Sequence, residues 1–278
     1  MDGSHSCLRA RELATVIAKK FDSAVTAVHV ISHDFMHPEV GAGFKLPPSI
    51  LDELNKSHQL AGAKIIQNAE DFFKEENIHV QTILARAEDP AEEILKITKE
   101  TKTDLLIMGN ISEKQSNRFA LGSVAEKIVQ YAKCPVLIAK RKTEVKKLLV
   151  ATDGSKGATK AVDYAVCLSQ HFSGSKITLL HVDRLQQVDE FFKQEPHYAQ
   201  EVGKFILNTT TKRIEVVPHE SRLEFGKTVK TILKIAKDDD FDIIILGRRG
   251  ESSVKKYLLG SVSSDVSMYS QRSVLIVH

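Results

Sequence analysis

Set against itself, this 278-residue chain repeats. Asp2, Gly3 and Ser4 return as Asp153, Gly154 and Ser155, 151 residues later, and His29-Val30 returns as His181-Val182 at an offset of 152. Further on, Met108-Gly109 is answered by Leu246-Gly247, and Leu121 to Val124 by Leu259 to Val262, both at an offset of 138. A unit of this length is a whole domain, in line with roughly 150 residues per domain. The first copy carries about 14 extra residues between His29 and Gly109, placed near 33–48, where Gly41, Gly43, Pro47 and Pro48 read as loop. The division is expected at 1–143 and 144–278, in the charged stretch 140–146, which is too short for a flexible tether.

In the second copy Lys147–Thr152 is an apolar, β-branched run followed by Ala158, Ala161, Val162, Ala165 and Leu168 at helical spacing, hence strand then helix. Ile177–Val182 reads as a second strand, 186–210 contains a helix interrupted near Pro196, and Ile214–Val217 reads as a third strand. Helix Lys227–Lys237, strand Phe241–Leu246, helix Ser261–Ser270 and strand Ser273–Val277 complete the copy. Strands alternating with helices, several of them continuous apolar runs, predict a parallel sheet covered on both faces, a doubly wound α/β domain. The first copy runs in the same order from a helix at Cys7–Lys19 to a strand at Pro135–Ala139, with one difference. A strand precedes Asp153, but only Met1 precedes Asp2, so the first domain is expected to lack its first strand. Either the start was assigned too late or the first domain is degenerate.

Charge and hydropathy narrow the function. Lys and Arg number 39 against 36 Asp and Glu, a formal charge of +3, too balanced to make nucleic acid the expected partner. Apolar runs such as Leu105–Met108 and Ile243–Leu246 are far shorter than the roughly 20 residues of a membrane helix, so no membrane association is expected. The three cysteines, Cys7, Cys134 and Cys167, are too scattered for a disulfide framework, and the N-terminus lacks a secretory signal. A reducing cytoplasm is the expected compartment.

The most specific pattern is Gly247, two arginines, Gly250, nine residues, then Gly260-Ser261, directly after a strand and opening a helix. Glycines let backbone approach a ligand closely, and the free N–H groups and positive dipole end of the helix favour an anion such as phosphate. Arg248, Arg249, Lys255 and Lys256 add positive charge. Asp153 ends the first strand of its copy, and ligands of doubly wound sheets bind beyond the carboxyl ends of strands where the strand order reverses. Its alternative role is a turn residue capping the next helix.

With Asp153, His181-Val182 and the glycine pattern in this order, the sequence resembles the universal stress protein family, as a tandem pair over nearly the whole chain. The resemblance implies an adenine-nucleotide alpha-hydrolase-like fold: two parallel five-stranded sheets of order 3-2-1-4-5. It implies ATP or AMP as ligand, with or without Mg. Asp153 and Val182 would face adenine and ribose; Gly247 and Gly250, with Arg248 beside them, the ribose-phosphate; and Gly260, Ser261, Val262 and Ser263 the phosphates. It also implies pairing of the last strands, Pro135–Ala139 with Val274–Val277, as an intramolecular pseudo-dimer, with a homodimer left open. The first copy keeps the outline in Asp2, Val30, Gly109, Gly122 and Ser123, but has Ser112 at the second glycine and Ala125 in the place of Ser263. The implied function is a stress-response regulator that binds an adenine nucleotide and acts on a protein partner. The alternatives are a scaffold of the same fold that binds no nucleotide and a slow ATPase, since no catalytic triad, zinc motif or carboxylate pair stands out.

Other motifs carry less. Gly226-Lys227-Thr228 ends like a P-loop, but Ser221 stands where the first glycine belongs. His29, His33 and His37 with Asp34 have helical metal-ligand spacing, but His29 belongs to a strand, so no metal site is expected. All three cysteines are expected to pack.

Overall fold

The computed structural model describes residues 1–32, 47–110, 121–141, 144–184, 190, 194–250 and 259–278. The extra loop residues 33–46, with His33, Asp34 and His37, lie outside the described residues, as do Ser112, Lys255 and Lys256.

The first repeat contains α1 (His5–Phe21), β1 (Val25–Ser32), α2 (Pro48–Glu75), β2 (Val80–Ala87), α3 (Pro90–Glu100), β3 (Leu106–Gly109), α4 (Ser123–Tyr131) and β4 (Val136–Ala139). The second contains β5 (Lys147–Ala151), α5 (Lys156–His171), β6 (Lys176–Asp183), α6 (Pro196–Thr211), β7 (His219–Phe225), α7 (Thr228–Asp238), β8 (Ile243–Gly247), α8 (Ser261–Tyr269) and β9 (Ser273–Val277).

Seven strands form one sheet of order β3-β4-β9-β8-β5-β6-β7, while β1 and β2 pair apart as a two-stranded sheet. Within the second repeat the order β7-β6-β5-β8-β9 is the expected 3-2-1-4-5, parallel throughout. The repeats join where β4 meets β9 antiparallel, Val136 opposite Ile276 and Ile138 opposite Val274. The first repeat shows the consequence of lacking its first strand: β1-β2 and β3-β4 stand as separate pairs with no strand between β1 and β3 among the described residues. The expected two five-stranded sheets are thus realised as one sheet continuous across the repeats and one detached pair.

Two apolar layers sandwich the large sheet. One packs Ala10, Leu13 and Ile17 of α1 and Ala161, Ala165 and Leu168 of α5 against Leu137, Leu148, Ile245 and Leu275. The other packs Ile128 of α4, Ile232 of α7 and Val266 of α8 against Val136, Leu149, Ile244 and Ile276. Alternate residues of each strand feed opposite layers, which is why central strands read as unbroken apolar runs.

One expected strand is corrected. Residues 214–217 form a turn, with the Val217 N–H donating to the Ile214 carbonyl at 3.1 Å, and the third strand is His219–Phe225 beyond Pro218. Ile214 and Val217 are buried from that turn, while Val216 is 71% exposed. The strand lies at the sheet edge, where charged residues replace the apolar run of a central strand. Glu220 there pairs with Lys176 and accepts from Thr178 at 3.0 Å. Cys167 is likewise corrected. It is exposed on the outer face of α5, whereas Cys7 and Cys134 are buried. Burial pushes the Cys134 thiol up, away from the thiolate form that reacts.

Candidate functional site at the carboxyl ends of β5, β6 and β8

Chain order runs from β5 outward through β6 to β7, then returns to the other side of β5 as β8 and β9. The order therefore reverses between β5 and β8, and a crevice is expected beyond their carboxyl ends. Asp153 lies two residues past β5, Gly247 ends β8, and Val182 stands next to last in β6. His181 holds two of these ends together, its Nδ1 donating to the Thr152 carbonyl at 2.8 Å.

Asp153 is not the cap of α5. Ser155 takes that role, its side chain accepting the Ala158 N–H at 3.2 Å. Asp153 instead accepts the Ser155 N–H on Oδ1 at 3.0 Å. Its Oδ2 faces Gly250: a Cβ on that glycine would lie 2.2 Å from it. The two strongest signals in the sequence, 97 residues apart, thus meet in space, and a side chain at 250 would displace the carboxylate.

The loop after β8 is pressed onto the start of α5. A Cβ at Gly247 would lie 2.3 Å from the Gly157 carbonyl carbon, and one at Gly157 would lie 2.2 Å from the Arg249 carbonyl oxygen. Sequence reasoning missed Gly157. Its signal was a glycine in the first turn of a helix, where it weakens the helix, in a position that the first copy fills with Ser6. Gly260 closes the loop, its N–H donating to the Arg248 carbonyl at 2.9 Å, and serves as N-cap of α8 with no side-chain cap. The first intrahelical bond at this end runs from Ser264 to Gly260. The N–H groups of Ser261, Val262 and Ser263 consequently have no intrahelical partner, and the first turn holds no acidic residue. Ser261 is exposed at that end.

Two expected ligand residues face elsewhere. The buried Ser263 hydroxyl donates to the Gly247 carbonyl at 2.7 Å, bracing the loop against the helix. The Arg248 guanidinium donates to the Gln130 carbonyl of α4 in the other repeat at 2.6 Å, while its N–H donates to Val277. Burial, followed by the charge of Arg249, holds its pKa below the usual guanidinium value.

The first repeat builds the same frame. Asp2 accepts from the Ser4 N–H at 3.0 Å, Ser4 caps α1, and the Gly122 N–H donates to the Asn110 carbonyl at 2.8 Å. A Cβ on Gly109 would lie 2.5 Å from the Ser6 hydroxyl. Val30 is in β1, opposite Ala85. The differences are chemical: Ala125 is buried where Ser263 braces the second loop, and Glu126 occupies the first turn of α4, beyond Gly122 and Ser123. A carboxylate there already answers the positive end of the helix and repels an anion.

Among the described residues no cluster of three metal-ligating side chains occurs, and no helix is long and apolar enough to cross a membrane. Gly226, from the apparent P-loop ending, follows β7 with φ at 140° and donates its N–H to Asp183 at 3.0 Å, a turn into α7.

Comparison with known proteins agrees with the repeat and the fold. The sequence model of the universal stress protein family matches residues 1–140 and again 144–278. A universal stress protein of Methanocaldococcus jannaschii is 32% identical over 140 residues, 50% of this chain and 78% of that protein. One of Bacillus subtilis is 30% identical over 141 residues, 50% of this chain and 95% of that protein. Among solved structures, a universal stress protein from Archaeoglobus fulgidus superposes with a TM-score of 0.66 at 22% identity, covering 100% of this chain and 96% of that one, a likeness of fold.

Proposed function

Because the chain belongs to the universal stress protein family, we propose that its second repeat binds one adenine nucleotide, ATP or AMP, and that the protein is a cytoplasmic stress-response regulator. The observation that carries the reading is the meeting of Asp153 and Gly250 beside the uncapped N-terminus of α8. A carboxylate there can accept from ribose hydroxyls or the adenine amino group. The N–H groups of Ser261, Val262 and Ser263 and the Ser261 hydroxyl can donate to phosphate oxygens, with the helix dipole favouring the charge. Backbone of Val182 would border the base, and Gly247 and Gly250 the ribose-phosphate. Ser263 and Arg248 act in this reading as braces of the loop and of the repeat interface. ATP would bring Mg with its phosphates. Regulation follows if nucleotide changes the stability of the loop after β8 or of the surface around it, and so alters the fit of a protein partner.

Isothermal titration with ATP and AMP, beside mass spectrometry of nucleotide released from freshly purified protein, tests the reading. Saturable binding of one nucleotide per chain is expected. A Cβ at Gly260 would lie 3.2 Å from the Arg248 carbonyl oxygen and 3.4 Å from the Arg249 Cα, so Gly260→Ala should fold while crowding the phosphate approach. Absence of binding at millimolar nucleotide would overturn the proposal.

A further inference from the structure

Helices α4 and α8 are counterparts 138 residues apart, and the last turn of each receives a cation from the other repeat. The last carbonyls of a helix have no partner within it and carry the negative end of its dipole, so a cation there is favoured. Met268 of α8 and Gln130 of α4 hold the same position in their repeats, and the carbonyls of both accept such a bond. The two cations, however, are not counterparts. Met268, with Ser267 and Ser270, accepts from Lys140, which follows the last residue of β4 and whose N–H donates to the Ser273 hydroxyl at 3.3 Å. Gln130 accepts from Arg248, which follows β8 and opens the glycine loop. Strict repetition would have given the bond to α4 to His278, the counterpart of Lys140, and the bond to α8 to Asn110, the counterpart of Arg248. Both nitrogens of the His278 ring are instead buried with no hydrogen-bond partner, and Asn110 is wholly buried in the first repeat. The end of α8 is thus tied to a strand of the continuous sheet, and the end of α4 to the loop of the candidate site.

Arg248 meets three elements at once. Its N–H donates to the Val277 carbonyl at 2.7 Å, its carbonyl accepts the Gly260 N–H at 2.9 Å, and its guanidinium donates to the Gln130 carbonyl at 2.6 Å. Gly260 is the N-cap of α8, directly ahead of the N–H groups proposed for phosphate. A phosphate on those groups would hold Gly260 in place, and with it the main chain that carries the Arg248 side chain. A guanidinium on a fixed main chain loses less freedom in holding the Gln130 carbonyl, so the two interactions favour each other without any new contact. Helix α4 passes the effect on, because Lys127 pairs with Asp89, the N-cap of α3, and with Glu92 in its first turn.

We propose that Arg248 couples the nucleotide site of the second repeat to the end of α4, so that occupancy of one repeat is felt on the α3–α4 face of the other. The inference rests on the nucleotide reading above and adds where its effect emerges. Arg248 is here a positioning residue, with its guanidinium on Gln130 rather than on the ligand. The coupling is reciprocal: the end of α4, held through Arg248, raises nucleotide affinity by the factor by which nucleotide steadies α4. The first repeat, with Glu126 in the first turn of its own α4, thereby responds to a nucleotide that it does not bind.

The test uses the full chain with and without saturating ATP, followed by calorimetric titration and by hydrogen exchange. In the unaltered protein ATP should slow the exchange of residues 129–132 about fivefold or more, the lower end of the usual coupling between two sites. Arg248→Met, measured at its own saturating ATP, should lose that slowing and should bind ATP more weakly by the same factor. Arg248→Gln, whose amide is too short to reach Gln130, gives the same comparison should the Met variant fail to fold. ATP bound with exchange at residues 129–132 unchanged, or slowed equally in the variants, overturns the coupling and leaves the nucleotide reading standing. Absence of binding in the titration of the unaltered protein overturns both.

Discussion

Leu137 lies directly opposite Leu275, its own counterpart 138 residues later in the chain. Val136 and Ile138 exchange partners in the same way with Ile276 and Val274. A pseudo-two-fold axis therefore passes between the two leucines, and the repeats meet as the two halves of an isologous dimer would. The joint is also part of the core: Leu137 is 1% exposed and Leu275 0%. Leu137→Ala should cost about 2–5 kcal/mol, the range for truncating a fully buried leucine. Leu275→Ala should cost a similar amount, and the double variant should depart from their sum because the sites share one contact. Urea denaturation of the three variants measures this. A single cooperative transition in each would show that the repeats unfold together.

The close approach of Gly247 to Gly157 predicts a second, more local sensitivity. A Cβ at either position would collide with main chain rather than with a side chain that could turn aside. Gly157→Ala and Gly247→Ala should each lose about 1–3 kcal/mol of stability, the scale for forcing extra atoms into a packed site. Both should also weaken nucleotide binding by moving the Arg249 and Gly250 backbone. Thermal melts and titration together would check it, and a variant of normal stability and affinity would show that the loop moves freely.

In the proposed site the repeats should not be equivalent. Asp153→Ala should weaken ATP binding by about 1–3 kcal/mol, the scale for a hydrogen bond to a charged group, and Gly260→Val should remove most of it. The matching Gly122→Val should matter much less, because Glu126 stands in the first turn of α4 and Ala125 replaces the loop brace. Calorimetric titration distinguishes the two. Loss of binding in Gly122→Val with retention in Gly260→Val would assign the site to the first repeat.

The sequence made the central strands of the second repeat legible because they are buried on both faces and read as apolar runs, while their order came only from the family resemblance. It failed at β7 for the converse reason: an edge strand reads His-Glu-Ser-Arg-Leu-Glu-Phe, and the apolar Ile214 and Val217 reach the core from a turn. The glycine pattern located the loop, but a one-dimensional motif does not separate glycines that leave room for a ligand from those that leave room for another loop. Gly247 leaves room for the first turn of α5 at Gly157, whatever it also offers a ligand. Nor does it tell a hydroxyl offered to a ligand from one, like that of Ser263, donated to a carbonyl of the same loop.

Lys140 should give the joint between repeats a dependence on pH. Its ammonium reaches across to the end of α8, donating to the carbonyls of Ser267 at 2.5 Å, Ser270 at 2.9 Å and Met268 at 3.2 Å. These acceptors include terminal carbonyls that the helix itself leaves unpaired. The residue is 4% exposed, and burial pushes its pKa from 10.5 down to about 7. Between those values the unfolded chain holds a proton that the folded chain has released, so stability should rise as pH is raised from 7 towards 10.5. The slope is at most about 1.4 kcal/mol per pH unit for one proton. In Lys140→Met this contribution is absent, while the carbonyls of α8 lose their donor. The variant should therefore be flatter across the window, losing ground to the unaltered protein as pH rises towards 10.5. Urea midpoints at pH 7.5, 8.5 and 9.5 for both proteins give the comparison. Parallel curves would mean that Lys140 keeps its proton throughout and acts as a permanent charge at the helix end.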